Sequence, residues 1–182
     1  MLLLSAGLAG CAGLNAGPAT ADATPTATPT ATAASTPTAT EPGTPVSTPG
    51  ASYATTTVEL VDDNGTRLAT VDVWVADSFT KRYVGLSRTT ALEPGQGMLF
   101  IHDSEERRAY VMRKMDFPLD IVFVAANGTI TTIHHAPLPP EGVTGHELTK
   151  YSGRAKYVLE VPMGYTNRTG VDVGDSVRIG DL

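Results

Sequence analysis

Apolar and polar residues begin to alternate at residue 56, and the pattern there predicts two strands joined by a tight turn. Thr56 to Val61 alternates and reads as a strand. Asp62-Asp63-Asn64-Gly65 follows as a hairpin turn, because Asn-Gly tolerates the positive φ that such turns require. Thr66 to Val75 is the second predicted strand, with its valines facing one way.

A short helix and a buried strand are predicted next. Asp77 or Ser78 caps a helix that ends near Leu86. The spacing of its apolar residues predicts one apolar face, made of Phe79, Tyr83 and Leu86. Gly97 to Ile101 is almost wholly apolar, which predicts a strand that is buried on both faces.

Two more strands are predicted around a charged run. Ala109 to Met112 is one, and Ile121 to Ala125, introduced by Pro118-Leu119-Asp120, is the most apolar strand of the chain. The run Glu105-Glu106-Arg107-Arg108 is interpreted as a solvated connection between strands.

The remaining pattern completes a strand-rich domain. Asn127-Gly128 turns the chain into a strand from Thr129 to His134, and a loop rich in Pro, Gly and His follows. Lys156 to Val161 alternates again, a helical turn runs from Pro162 to Gly170, and Asp175 to Ile179 is the last strand. About eight strands and two short helices predict a mainly β (α+β) domain, either a curled antiparallel or mixed sheet or a small barrel.

The composition restricts this domain to residues 53–182. Residues 1–52 contain no Lys, no Arg and no aromatic side chain. Residues 12–52 consist mainly of Thr, Ala, Pro, Ser and Gly, which cannot bury enough apolar surface to offset chain entropy. We therefore predict a disordered, extended stalk over residues 12–52.

The single cysteine, Cys11, follows a short apolar run and ends the sequence Leu8-Ala9-Gly10-Cys11. This pattern is typical of a lipobox, so residues 1–11 are predicted to be a lipoprotein signal segment whose Cys receives the lipid. The alternative is that a tract of small residues ends in a cysteine by chance. No basic residue precedes the apolar run, so we expect the true start to lie upstream of Met1. The expected location is the outer face of the cell membrane, with the lipid anchor as the membrane contact.

Charge and motifs exclude several classes of function. The net charge is −6, and no basic stripe is present, which argues against a nucleic-acid partner. The chain lacks a Gly-x-Ser-x-Gly elbow, a His-Glu-x-x-His motif and a glycine loop for phosphate. We therefore expect neither an enzyme nor a resident cofactor.

The strongest candidates for a binding site are charged residues near predicted strands. Asp120 begins a buried strand, and Glu160 lies within another. If Arg88, Arg113 and Lys114 converge on these carboxylates, the five residues form a polar ligand site or an acid/base pair. The alternative is a network of ion pairs and hydrogen bonds that fixes strand register.

Histidines and methionines raise a second hypothesis, an extracytoplasmic copper site, since imidazole and thioether ligands suit copper. Its candidate ligands are His102, His134 and His135. Neighbours on a strand point to opposite faces, so His134 and His135 cannot share one metal if the strand continues that far. Met98 and Met112 are expected in the core instead.

Three sequons for N-glycosylation are present, at Asn64, Asn127 and Asn167. In an exported protein they are candidate modification sites. Asn64 and Asn127 are equally explained as the expected residues of hairpin turns.

Four motifs occur in an order that resembles the family called domain of unknown function 192 (DUF192), over nearly all of residues 56–181. The motifs are Gly85-Leu86-Ser87-Arg88, Gly97-Met98-Leu99-Phe100, Tyr110 to Phe123 with Pro118-Leu119-Asp120, and Lys156 to Pro162 followed by Gly164, Gly170 and Val173-Gly174-Asp175. Where the family's central motif usually reads aromatic-Trp-Met-Lys-Asn-Thr, this chain has Tyr110-Val111-Met112-Arg113-Lys114-Met115. The resemblance implies a fold and a secreted or periplasmic habit, and it implies no activity.

Taken together, the sequence predicts an extracytoplasmic, membrane-anchored lipoprotein with a non-enzymatic binding or envelope-accessory β domain. Its partner would be an envelope macromolecule or a small ligand. The alternatives are a copper-binding protein and an envelope hydrolase that uses Asp120 and Glu160.

Overall fold

One curled sheet of seven strands organises residues 53–182, the part of the chain that the computed structural model describes. Cys11 and the predicted stalk lie outside the described residues. The strands are β1 (Ala54–Val61), β2 (Arg67–Ala76), β3 (Gln96–Tyr110), β4 (Leu119–Val124), β5 (Ile130–Ala136), β6 (Tyr151–Pro162) and β7 (Ser176–Ile179). Two short helices, α1 (Phe79–Val84) and α2 (Tyr165–Thr169), and a 3-10 turn (Gly145–Glu147) complete the elements.

The strand order across the sheet is β5-β4-β6-β3-β2-β1-β7. Only β2 and β3 pair in parallel; the other neighbours are antiparallel. The edge strands β5 and β7 approach each other at one end, where Ile130 N donates to Asp175 O at 2.8 Å and Val177 N donates to Gly128 O at 2.8 Å. The sheet is therefore curled into a half-barrel, and the predicted mainly β, mixed fold is confirmed.

Both faces of the sheet carry apolar side chains, because successive residues of a strand point to opposite faces. Val122 and Val124 of β4 belong to a cluster that also includes Ile130 and Val177 from the two edge strands, which places it inside the curl. Ile121 and Phe123, the alternating residues, belong to a second cluster on the outer face. All six residues of β4 are buried, which confirms its prediction as a strand in the core.

Seven strands replace the predicted eight, because β3 is a single strand of 15 residues. The run Glu105-Glu106-Arg107-Arg108 was expected to be a connection, and that prediction is wrong. Beyond an irregularity between Ile101 and Glu106, β3 resumes pairing with β6, from Glu106 opposite Ala155 to Tyr110 opposite Tyr151. Backbone pairing holds this segment extended although all four of its side chains are charged, two of them exposed and two half-buried.

Helix α1 begins after Ser78, whose hydroxyl accepts a hydrogen bond from Lys81 N, so the predicted cap is confirmed. Its predicted apolar face is wrong. Phe79 is 77% exposed and Tyr83 62% exposed, whereas Leu86, which lies beyond the end of the helix, is buried. A helix of six residues is too short to bury a face along its length, so its two aromatic rings face solvent.

The helices of residues 53–182 lack the length and the apolar composition that a membrane-spanning helix needs.

Candidate functional site

A cleft of about 610 Å³ opens between α1 and the outer face of β3. Its rim carries the two exposed aromatic rings of α1, Phe79 and Tyr83, and its floor includes Tyr110 and Glu160. Four arginines also line it; they are Arg82, Arg107, Arg108 and Arg113. A cavity of this size suits a small ligand, since ligand pockets in proteins commonly measure about 300–1,000 Å³.

Glu160 is the one carboxylic residue among those that line the cleft. It is 7% exposed and makes no hydrogen bond or ion pair with another described residue through its side chain. Burial raises its pKa to about 8, since the ionised form loses its hydration. Glu160 therefore carries a proton at neutral pH, and its uncharged carboxyl group can both donate and accept a hydrogen bond.

Tyr110 and His102 form a second uncharged pair in the cleft. His102 Nε2 lies 2.9 Å from the Tyr110 hydroxyl, which is within hydrogen-bonding distance. Burial, followed by the positive charges of Arg108 and Arg82, lowers the pKa of His102 to about 4. Burial, followed by proximity to Glu160, raises the pKa of Tyr110. Both side chains are neutral at pH 7, so the floor of the cleft is polar without being charged.

The arginines of the rim are held in place mainly by backbone carbonyls. Arg82 Nη1 donates to Ile101 O at 2.7 Å and to Asp77 O at 3.0 Å. Arg113 donates to Tyr83 O, and its guanidinium lies 4.3 Å from the centre of the Tyr83 ring. A carbonyl satisfies donors without cancelling the charge, so these two guanidiniums remain positive groups beside the cleft.

The five predicted site residues do not form one site. Arg113 and Glu160 both line the cleft, whereas Arg88 and Lys114 are exposed and do not line it. Asp120 lies on the other side of the sheet. In the pairing of β4 with β6, Asp120 is opposite Val161, and Ile121 is opposite Glu160.

Asp120 and Glu160 therefore point to opposite faces, because the side chains of a strand alternate. The prediction that they share a site is wrong for this reason. An envelope hydrolase that uses both carboxylates in one cleft is contradicted by the same register.

Asp120 instead anchors the turn that leads into α2. One carboxylate oxygen accepts from Gly164 N at 3.0 Å and lies 2.6 Å from His135 Nδ1. The other accepts from Thr166 N at 3.0 Å and from Thr166 Oγ1 at 2.8 Å. Burial alone would raise the pKa of Asp120, but the hydrogen bonds from His135, Thr166 and Gly164 outweigh it and lower the pKa. Asp120 therefore belongs to a hydrogen-bond network, which was the alternative to a ligand site in the sequence analysis.

The three histidines proposed as copper ligands each contact a different partner. His134 and His135 both belong to β5, so they point to opposite faces and do not share a metal, as expected if the strand continues that far. His134 Nε2 lies 3.0 Å from Ser152 O, His135 contacts Asp120, and His102 contacts Tyr110. Among residues 53–182 no three His, Cys, Asp or Glu side chains are grouped to hold a metal ion. Met98 and Met112 are buried in the core, as expected.

The three sequons are exposed. Asn64 and Asn127 occupy the β1–β2 and β4–β5 turns, as predicted, and Asn127 Oδ1 accepts from Thr129 N at 3.0 Å. Asn167 lies in α2. Their glycosylation stays a prediction.

The sequence interpretation missed most of the cleft. The interpretation placed Phe79 and Tyr83 on one apolar helix face with Leu86, and Arg107 and Arg108 in a connection. A usable signal was present: a short helix that combines two aromatic residues with Lys81 and Arg82 has no wide apolar face to bury.

Comparison with known proteins supports the fold and identifies the family. The chain is similar to a solved structure from Sinorhizobium meliloti 1021, described as a proposed transcription regulator, at 30% identity and a TM-score of 0.63, covering 71% of this chain and 96% of that one. It is also similar to a protein of unknown function from Novosphingobium aromaticivorans, at 25% identity and a TM-score of 0.60, covering 75% of this chain and 99% of that one. Those two chains consist almost wholly of the matched domain, so in those proteins the domain folds by itself.

No curated protein matches the chain. The DUF192 profile, described as an uncharacterized ACR, matches residues 59–179. The matched range includes every residue that lines the cleft, and it includes most of both core clusters and at least part of every strand. The chain belongs to the DUF192 family.

Proposed function

We propose that this chain is an exported lipoprotein, anchored to the outer face of the membrane through Cys11, whose β domain binds a ligand without transforming it. The observation that carries the binding role is the cleft between α1 and β3. It combines exposed aromatic rings, guanidinium groups and a buried, uncharged carboxyl group. Such a mixture of apolar surface and a few convergent polar groups is typical of ligand sites.

The proposal of a non-enzymatic role rests on the chemistry of the cleft. None of the residues lining it is a cysteine, and its one serine, Ser87, donates its hydroxyl hydrogen to Val84 O at 2.6 Å. His102 is paired with a tyrosine hydroxyl, so it does not activate a serine. The family itself is described only as uncharacterized.

Regulation of transcription, the role proposed for the relative from Sinorhizobium meliloti, is not favoured for this chain. Residues 53–182 carry 17 acidic against 13 basic side chains. Proteins that bind DNA neutralise phosphates with an excess of basic residues on one face. Four arginines in one cleft suit a small anionic ligand better than a duplex.

Binding is tested by thermal unfolding of residues 53–182 against metals, sugars, nucleotides and small carboxylates. A ligand at a hundred times its Kd adds about 2.7 kcal/mol to the free energy of unfolding. This raises the midpoint of a domain of this size by roughly 3–7 °C.

The variant Arg113→Gln should reduce the shift. The control variant Arg67→Gln should retain it, because Arg67 lies outside the cleft and pairs with Glu59. Equal shifts in both variants would place the ligand elsewhere, and no shift with any compound would remove the small-ligand proposal.

The membrane anchor is tested on the whole chain. Fatty-acid labelling and fractionation should place wild type in the membrane, and Cys11→Ser should abolish the label. A label that persists in Cys11→Ser would refute the lipoprotein assignment.

A further inference from the structure

We infer that the ligand of the cleft is an acidic saccharide, that is, a sugar ring that carries an anionic substituent. This inference rests on the proposed binding function and names the chemical class of its ligand. Three independent features of the cleft lead to it: an unpaired polar floor, a rim of positive charge, and an exposed aromatic platform.

The floor of the cleft favours a ligand that carries hydroxyl groups. The side chain of Glu160 is 7% exposed, lines the cleft and makes no hydrogen bond with another described residue. A ligand that supplies a hydrogen-bond partner to this largely desolvated carboxyl group gains affinity there. Because a protonated carboxyl group both donates and accepts, its best partner also does both, as a sugar hydroxyl does. The neighbouring Tyr110–His102 pair adds two more neutral polar groups.

The same floor disfavours other small anions. A flat aromatic acid would set hydrocarbon against Glu160 and leave the carboxyl group unsatisfied. A carboxylate set directly against Glu160 can accept a hydrogen bond from it but cannot donate one, so it satisfies the carboxyl group only in part. The charged part of the ligand therefore belongs at the rim, and its uncharged hydroxyl-bearing part belongs at the floor.

The rim of the cleft favours a ligand that carries a negative charge. Arg82, Arg107 and Arg113 form no ion pair with any carboxylate in the described part of the chain. Arg108 reaches only Glu106, at 3.7 Å. Three arginines without an ion pair and one with a single ion pair thus line one cleft, in a domain whose overall charge is negative. Guanidinium groups bind carboxylates, sulfates and phosphates through paired hydrogen bonds.

The platform calls for a ring with an apolar face. Phe79 and Tyr83 are exposed, and their rings lie 6.3 Å apart at an angle of 18°. These near-parallel rings leave a strip of aromatic surface in water, on which the C–H face of a sugar can pack. The Arg113 guanidinium lies against Tyr83. A sugar on this strip would thus place its anionic group next to a cation.

The inference is tested with pairs of saccharides that differ only in charge. Residues 53–182 are titrated calorimetrically with trigalacturonate and with its methyl ester, which keeps the rings and loses the charge. A hyaluronate fragment and a sulfated galactan fragment extend the set, each with a neutral counterpart, while benzoate and AMP represent aromatic anions. At least one acidic saccharide should bind at least tenfold more tightly than its neutral counterpart and than both aromatic anions.

Two variants and their controls assign the groups. Arg113→Gln should weaken the acidic sugar at least tenfold more than it weakens the neutral one, whereas Arg67→Gln should change neither. Phe79→Ala should weaken both sugars, whereas Val173→Ala, at another exposed apolar side chain, should change neither. All four positions are exposed or half-buried, so thermal midpoints without ligand verify that the fold is retained.

The outcomes separate the two proposals. Equal affinity for acidic and neutral sugars would overturn the anionic part of the inference. Tighter binding of benzoate or AMP, or no binding of any acidic saccharide, would overturn the saccharide itself. In these cases the binding function stands if some other compound binds in an Arg113-dependent way, and it falls if none does.

Discussion

Replacing Glu160 by Gln should make the domain more stable, and more so at higher pH. The pKa of Glu160 is raised from 4.5 to about 8 in the folded domain. Between these values the folded state holds a proton that the unfolded state has released, so the free energy of unfolding falls as pH rises through this window. Below pH 4.5, Glu160 is protonated in both the folded and the unfolded state, so it causes no such loss of stability.

The magnitude follows from the width of the window, at about 1.4 kcal/mol for each pH unit. At pH 5 the cost of retaining the proton is roughly 1 kcal/mol, and at pH 7 it is roughly 3 kcal/mol. Above pH 8 it levels off at roughly 5 kcal/mol. A Gln of similar shape fills the same space and does not titrate, so the variant should lack this slope.

The assay is urea unfolding of residues 53–182 at pH 5, 7 and 9, followed by the fluorescence of the single tryptophan, Trp74. Wild type and Glu160→Gln should differ least at pH 5 and most at pH 9. Neighbouring groups do not confuse the result, since the pKa of His102 is about 4 and that of Tyr110 is raised above its usual value. The exposed control Glu141→Gln should follow wild type at each pH.

The reasoning is refuted if wild type and Glu160→Gln lose stability in parallel between pH 5 and pH 9. It is also refuted if wild type is the more stable protein at pH 9. Either result would mean that the buried carboxyl group ionises without cost and that the floor of the cleft is charged at neutral pH.

Two further substitutions test the packing around the sheet, both by urea unfolding. Asp120→Asn should lower the free energy of unfolding by about 3 kcal/mol, because an amide cannot accept all the hydrogen bonds that the carboxylate accepts from the turn into α2. The exposed control Asp116→Asn should lower it by close to nothing. Equal losses in the two variants would contradict the role assigned to Asp120. The pKa of Asp120 is lowered in the folded state, so the ionised carboxylate stabilises the fold at pH values above its unfolded pKa of 3.8. This stabilisation is lost as the pH falls through the folded pKa. Wild type should therefore lose more stability than Asp120→Asn on acidification. Gly153→Ala should cost roughly 1–3 kcal/mol, because a Cβ there would lie 2.6 Å from Cγ of the buried Phe123, and an unchanged midpoint would show that the ring can move.

The local pattern was sufficient for elements whose signal lies within a few neighbouring residues. The hairpin turn at Asn64-Gly65 needs a positive φ, and its glycine has a φ of 86°. The strand from Ile121 is apolar throughout, and a strand buried on both faces is what this composition favours. Because these properties are short in range, the sequence alone predicted them, together with the mixed β fold and the family.

The sequence could not supply whatever depends on pairing between distant segments. The run from Glu105 to Arg108 has the composition of a loop, and only pairing with β6 holds it as a strand. Alternation within one strand shows which residues share a face, but it does not show which face of a distant strand they match. The register of β4 against β6 separated Asp120 from Glu160, and the contact of Arg113 with Tyr83 of α1 brought Arg113 to the cleft that Glu160 lines. Such choices depend on the packing energy of the whole sheet, so only the tertiary structure decided them.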